Sequence, residues 1–226
     1  MIQVLTPTAT LVDRTYQAIL DAICQGTLMP GERLTQNAIA ERLEVSRQPV
    51  GQALALLKAR GFVAEAGRRG LVVVPLDPGL FKEIYQLRAA IDPMAARLAA
   101  GRISIEDERV GREIIRSGIR ACSGGKLDAL VQADVDFHTW IYQLSGNRLV
   151  PEMMGHYWNH LRRAMGEVLQ SAGKAQLVWV EHQEIFRALT GHDGERAARL
   201  TQEHLESNAA RVMAVVEGRE RAAGAR

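Results

Sequence analysis

A chain of 226 residues, 47% hydrophobic but only 5% aromatic, suits one large or two modest domains with aliphatic, helix-rich cores. The formal charge of +2 excludes a strongly basic or acidic protein, and no apolar run approaches the roughly 18 residues that a membrane span needs. Cys24 and Cys122 lack metal-type spacing and fit a reduced cytoplasmic protein, and the opening MIQVLTPTATLVDR shows no basic segment followed by an apolar run, so no secretory signal is expected.

Residues 11–25 carry Leu11, Tyr16, Ile19, Leu20 and Ile23 in a helical pattern that ends at Gly26. MPGERL, 29–34, is expected as a turn. A short helix over about 35–43 buries Ile39 and Leu43, and a third helix follows Ser46 and runs to Arg60, with Val50, Leu54 and Leu57 on one face. FVAEAGRRGLVVV then gives two β-prone runs around GRRG, a hairpin. Three helices and a hairpin are the order of a winged helix-turn-helix, and Pro75 and Pro78 flank a linker. The part up to residue 76 is mildly basic, with 8 Lys/Arg against 6 Asp/Glu. Beyond it the pattern is helical throughout, over about 78–101, 104–122, 126–145, 147–171, 175–191 and 193–217. The predicted fold is mainly α: residues 1–75 a winged helix-turn-helix, residues 76–226 an antiparallel helical bundle.

In a helix-turn-helix the start of the second helix faces base edges in the major groove. Ser46 is placed to cap that helix, with Arg47 and Gln48 exposed at its tip; arginine pairs bidentately with guanine and glutamine with adenine. Arg68 and Arg69 on the wing suit phosphate or minor-groove contact, and Arg33 suits another phosphate. MPGERL, AIAERLEVSRQPVGQALALLKARGFV and GRRGLVVV, in this order and spacing, resemble the winged-helix domain of GntR-type bacterial transcriptional regulators over about residues 11–75. The resemblance implies DNA contacts from Arg33, Arg47 and Gly70. The chain departs from it at Gly51 and Gln52, where many members have arginine then glutamate, and at Glu44, where many have glycine. An operator that diverges from the family's common half-site is therefore expected, with Gln48 or Gln52 taking more of the reading.

In QADVDFHTW, 132–140, Asp134 and His138 are four apart and share a helix face with Leu127, Leu130, Ile141 and Leu144. His182 sits in the stripe Val178, Ile185 and Leu189, and His204 in the stripe of Ala197 and Leu200. One aspartate and three histidines aimed inward suit zinc, nickel, manganese or iron. Inward histidines are also ordinary hydrogen-bonded core residues, Asp134 and His138 form a plain ion pair equally well, and Asp136 competes as the acid; residue pattern alone leaves these open. LFKEIYQLRAAIDPMAARLAA, DVDFH, EHQEIFRAL and TQEHL are similar to the FCD ligand-binding domain of FadR-type GntR regulators, over about residues 78–217, and six helices resemble the VanR-like subgroup. The resemblance implies metal ligands at Asp134, His138, His182 and His204; a divalent ion is expected there, zinc or nickel ahead of manganese or iron. Asp92 stands where glutamate is usual, a departure expected to alter a helix contact and leave the metal site untouched.

Four protein ligands leave two positions open on an octahedral metal, which a carboxylate can fill. Arg88 is the expected charge partner of that acid, with Asn147 and Asn208 as further effector contacts. The leading expectation is a homodimeric repressor of a palindromic DNA operator that senses a small carboxylate through its metal-containing bundle. The alternatives are a regulator for which the metal itself is the signal, and a metal-dependent hydrolase, against which stand the missing HExxH pattern and the lack of a general base beside the ligands.

Overall fold

A computed structural model describes residues 9–67, 70–124, 127–169 and 172–224. The chain divides into two compact units, Met1–Leu76 and Asp77–Arg226, with ten helices and three strands among the described residues.

The first unit opens with α1 (Leu11–Cys24), started by a reciprocal pair in which Thr10 Oγ1 accepts the Asp13 N–H and Asp13 accepts the Thr10 N–H. Then come β1 (Arg33–Leu34), α2 (Gln36–Leu43), α3 (Arg47–Ala59), β2 (Val63–Glu65) and β3 (Leu71–Val73), the strands pairing antiparallel in the order β1-β3-β2. Leu20, Ile23, Leu28, Val50, Leu57, Phe62 and Val73 close one apolar core. The end of MPGERL is thus a strand as well as a turn. Leu34 is buried, and the backbone groups of Gly31 and Glu32 are satisfied by Val73 of the hairpin, a long-range pairing that local composition does not announce.

Two local features of the α2–α3 turn follow from single residues. Glu44 ends α2 at φ 53°, ψ 42°, the left-handed conformation that glycine adopts freely and that costs an ordinary residue roughly 1–2 kcal/mol. Ser46 occupies the N-cap position of α3, but its hydroxyl makes no cap hydrogen bond, contrary to the sequence expectation. An N-cap hydroxyl accepts from the second or third helical N–H, and the third residue of α3 is Pro49, which has none. Thr35, by contrast, does cap α2, accepting the Ala38 N–H at 3.3 Å. Ser46→Ala is therefore expected to change stability by less than about 0.5 kcal/mol and Thr35→Ala to cost about 1 kcal/mol, as read from urea unfolding of the full chain.

The second unit contains α4 (Pro78–Ala100), α5 (Ile105–Gly124), α6 (Leu127–Leu144), α7 (Leu149–Gly155), α8 (Trp158–Val168), α9 (Ala172–Thr190) and α10 (Gly194–Gly224). Asp77 caps α4 through the Gly79 N–H, and Pro78 takes the first helical position, where its missing N–H costs nothing. The stretch expected as one helix over 147–171 is two, so this unit has seven helices among the described residues, not six. His156 and Tyr157 stay right-handed but bond to Met153 and Met154, a tighter i−3 turn that redirects the chain without breaking the apolar pattern. α4 packs along α10, and α6 contacts α4, α5 and α8.

Candidate functional site

In the first unit, Arg47, Gln48 and Gln52 are exposed on the opening turns of α3, beside the exposed Ser46. Arg33 is exposed on β1, and its side chain crosses Gly70, whose φ of 133° is one that L side chains rarely adopt. A Cβ at position 70 would stand 2.9 Å from Arg33 Nε, so glycine there lets the arginine lie across the root of the wing. Arg68 and Arg69 lie outside the described residues. A groove of about 610 Å³ runs between α2, α3 and the wing, lined in part by Gln36, Asn37, Gly51, Ala55 and Gly70.

In the second unit, α6, α9 and α10 each turn one histidine into the bundle. His138, His182 and His204 are at most 2% exposed, and one nitrogen from each lies within 4.8 Å of the others. His182 Nε2 and His204 Nε2 are 3.2 Å apart, and Asp134 Oδ1 is 3.7 Å from His182 Nε2. His204 donates from Nδ1 to Glu181 Oε2 at 2.8 Å, which leaves Nε2 as the ring's lone pair, the atom that Asn208 Nδ2 approaches at 2.9 Å. Arg211 holds the other end of this chain, donating to Glu181 and to Asn208 Oδ1. Asp136, the competing acid, is exposed and bonded to Gln132.

The electrostatics favour neutral, ligand-competent imidazoles at His138 and His182. Burial, reinforced by Arg88 and the neighbouring rings, holds His138 well below the usual histidine range; burial and His204 do the same for His182. Burial raises Asp134, against the pull of His204 and Arg88, and its Oδ1 has no hydrogen-bond partner. His182 Nδ1 is likewise buried and without a partner. Three buried imidazoles and an unsatisfied carboxylate oxygen, all out of water, form a donor set that fits a divalent transition metal, and the cation would be a partner for the Asp134 oxygen.

Arg88 reaches this cluster from α4. Its Nη2 lies 3.3 Å from His138 Nδ1, it pairs with Asp92 at 2.9 Å, and Tyr85 and Trp158 flank its guanidinium with ring centres 5.4 Å away. Asp92 in turn accepts the Tyr142 hydroxyl at 2.7 Å. This corrects the expectation that Asp92 leaves the site untouched: it positions an arginine that touches a candidate ligand. Asn208 is at the site, but Asn147 makes its hydrogen bonds inside the α6–α7 turn, to Ser145 and the Leu149 N–H. A short polar side chain just before a helix satisfies that helix's first N–H groups, and this local role claims Asn147. Glu181, Arg211, Tyr85 and Tyr142 are site residues that sequence reasoning missed. Glu181 had a visible signal, since it directly precedes His182.

Residues 83–207 match the family model described as FCD domain, and residues 11–73 match that of bacterial regulatory proteins, gntR family. The chain is 32% identical over 130 residues to an HTH-type transcriptional regulator from the TAR-I ttuE–ttuC' intergenic region of Agrobacterium vitis, covering 56% of this chain and 76% of that one. It is 24% identical over 202 residues to the HTH-type transcriptional repressor RspR of Escherichia coli (strain K12), covering 89% of each. It shares its fold with E. coli McbR/YncC, with a TM-score of 0.78 at 21% identity over 91% of this chain and 98% of that one. The matched families and relatives are transcriptional regulators rather than enzymes, which sets the hydrolase alternative aside.

Proposed function

From the premise that the chain belongs to the GntR family of DNA-binding bacterial transcriptional regulators and carries an FCD domain, we propose that it is a repressor controlled by a small carboxylate at a metal centre. Asp134, His138, His182 and His204 would hold a divalent metal, zinc or nickel before manganese or iron. The reading rests above all on the buried meeting of three imidazoles with an unpartnered carboxylate oxygen. When bound, the ion supplies open coordination positions that a carboxylate can take. Arg88 supplies the matching charge from α4, beside His138, and Asn208 offers an amide beside His204. Glu181 holds His204 in the tautomer that presents Nε2, and Arg211 holds Glu181.

The head, Met1–Leu76, reads the operator through Ser46 and through Arg47, Gln48 and Gln52 of α3, with Arg33 and Gly70 beside them and Arg69, which precedes Gly70 in the sequence. The bundle, Asp77–Arg226, binds the effector and pairs two chains, since a two-fold dimer matches a palindromic operator. Repression is the sense that the repressor RspR supports by similarity. Among the described residues no helix is long and apolar enough to cross a membrane. The acid acts by binding the DNA-competent and DNA-incompetent states unequally.

The test is a titration of metal-loaded protein onto an operator fragment with a panel of mono-, di- and hydroxycarboxylates. At least one acid is expected to raise the thermal unfolding temperature and to weaken operator binding together. Operator affinity indifferent to every acid, or altered equally by chelation with no acid present, would contradict the proposal; the second result would make the metal itself the signal.

A further inference from the structure

α3 has no side chain at Gly51, one of its forward positions, at a cost of about 1 kcal/mol of helix propensity relative to alanine. The structure fills this place from another helix. A Cβ at position 51 would stand 3.1 Å from Gln36 Nε2, 3.4 Å from its Cδ and 3.5 Å from its Oε1, so the Gln36 amide lies flat over the glycine. Gln36 is the first residue of α2, and two features fix its backbone: the β1 pairing of Leu34 with Leu71, and the Thr35 cap. Its side chain is exposed, as are Gln48 and Gln52 on either side of Gly51 in α3.

We propose that Gln36 is a specificity-determining residue, its amide laid on the recognition helix over Gly51 to read an adenine edge in the operator's major groove. An amide offers one donor and one acceptor in the spacing of adenine N7 and N6, and a glutamine reaching the groove reads this pair bidentately. Gly51 is then the lodging of a reading group supplied by α2, not a gap in the reading surface. A side chain at 51 would both displace that group and take its place. The assignment rests on the DNA-binding role of the first unit and is independent of the metal centre.

The experiment selects duplexes from a randomised library with the full-length protein, then measures affinities for the selected site and its single-base variants. Wild type is expected to prefer A·T at one operator position by roughly five- to a hundredfold. Gln36→Ala should lose that preference and keep those at the other positions. Gln36→Glu should move it toward C·G, because a carboxylate accepts from cytosine N4. Gly51→Ala, which pushes the amide aside, should weaken preference at the same position. The two Gln36 variants should unfold near the wild-type midpoint, since Gln36 is exposed, and Gly51→Ala should gain up to about 1 kcal/mol from its helix propensity. A Gln36→Ala protein with the wild-type preference at every position, or with a uniform affinity loss across all sequences, would overturn the proposal. A wild-type protein that selects no motif would overturn the DNA-reading role beneath it, and the proposal with it.

Discussion

Asp92→Ala is expected to destabilise the helical unit by about 3–5 kcal/mol, because it strands a buried guanidinium. The side chains of Arg88 and Asp92 are 3% and 1% exposed, and the pair is held by contacts of 2.9 and 3.0 Å. Burial opposes the charge on Arg88, yet Asp92, with Tyr142, Tyr85 and Asp134 behind it, carries its pKa above the ordinary arginine value. Alanine removes that support and also the acceptor of the Tyr142 hydroxyl. Asp92→Asn keeps an acceptor oxygen without the charge and should fall between the two. Trp140, Trp158 and Trp179 are the only tryptophans and all lie in Asp77–Arg226, so urea unfolding followed by tryptophan fluorescence reads this unit selectively. A loss below about 1 kcal/mol would mean that the guanidinium finds other partners and that the pair is not the clamp described.

The second large effect is expected at Gly118, where the bundle is too tight for a methyl group. α5 buries Gly111, Ile115 and Gly118, and a Cβ at 118 would overlap the six-membered ring of Trp179 on α9. Trp179 is 2% exposed and packs against His182, so Gly118→Ala should cost about 1–3 kcal/mol or more despite alanine's better helix propensity. Gly124, in the same helix, would meet nothing within 4 Å, and Gly124→Ala should stay within about 0.5 kcal/mol of wild type. The Trp179 ring also packs edge-on against His182 at 4.8 Å, so Gly118→Ala should lower metal affinity as well as stability. Equal unfolding midpoints for the two variants would refute this account of α5.

The helices were legible because each buries an apolar stripe at helical spacing, and the inward histidines because they interrupt those stripes. Val178, Ile185 and Leu189 are buried as expected, and His182 is buried with them. The features that escaped depend on partners distant in sequence or on one atom. The Tyr142–Asp92 and Arg88–His138 contacts each join residues fifty apart, beyond any local periodicity. β1 exists only because β3 returns beside it. The α7–α8 turn keeps helical dihedrals, so the stripe runs through it unbroken. Ser46 has the right residue type for a cap, and the absence of a hydrogen on Pro49 removes a donor. Arg88 was expected to face the effector; its pairing with Asp92 and its place beside His138 come from the structure.

The most direct test of the central claim is the metal content of the reconstituted, gel-filtered full-length protein, measured by elemental analysis beside His182→Ala. His182 is 0% exposed, sits 3.2 Å from His204 Nε2 and 3.7 Å from Asp134 Oδ1, and has no other role in the account. Wild type is predicted to retain about one divalent ion per chain and His182→Ala essentially none, each remaining folded by tryptophan fluorescence. A wild-type protein that holds no ion, or a His182→Ala protein that holds as much, would contradict the metal centre.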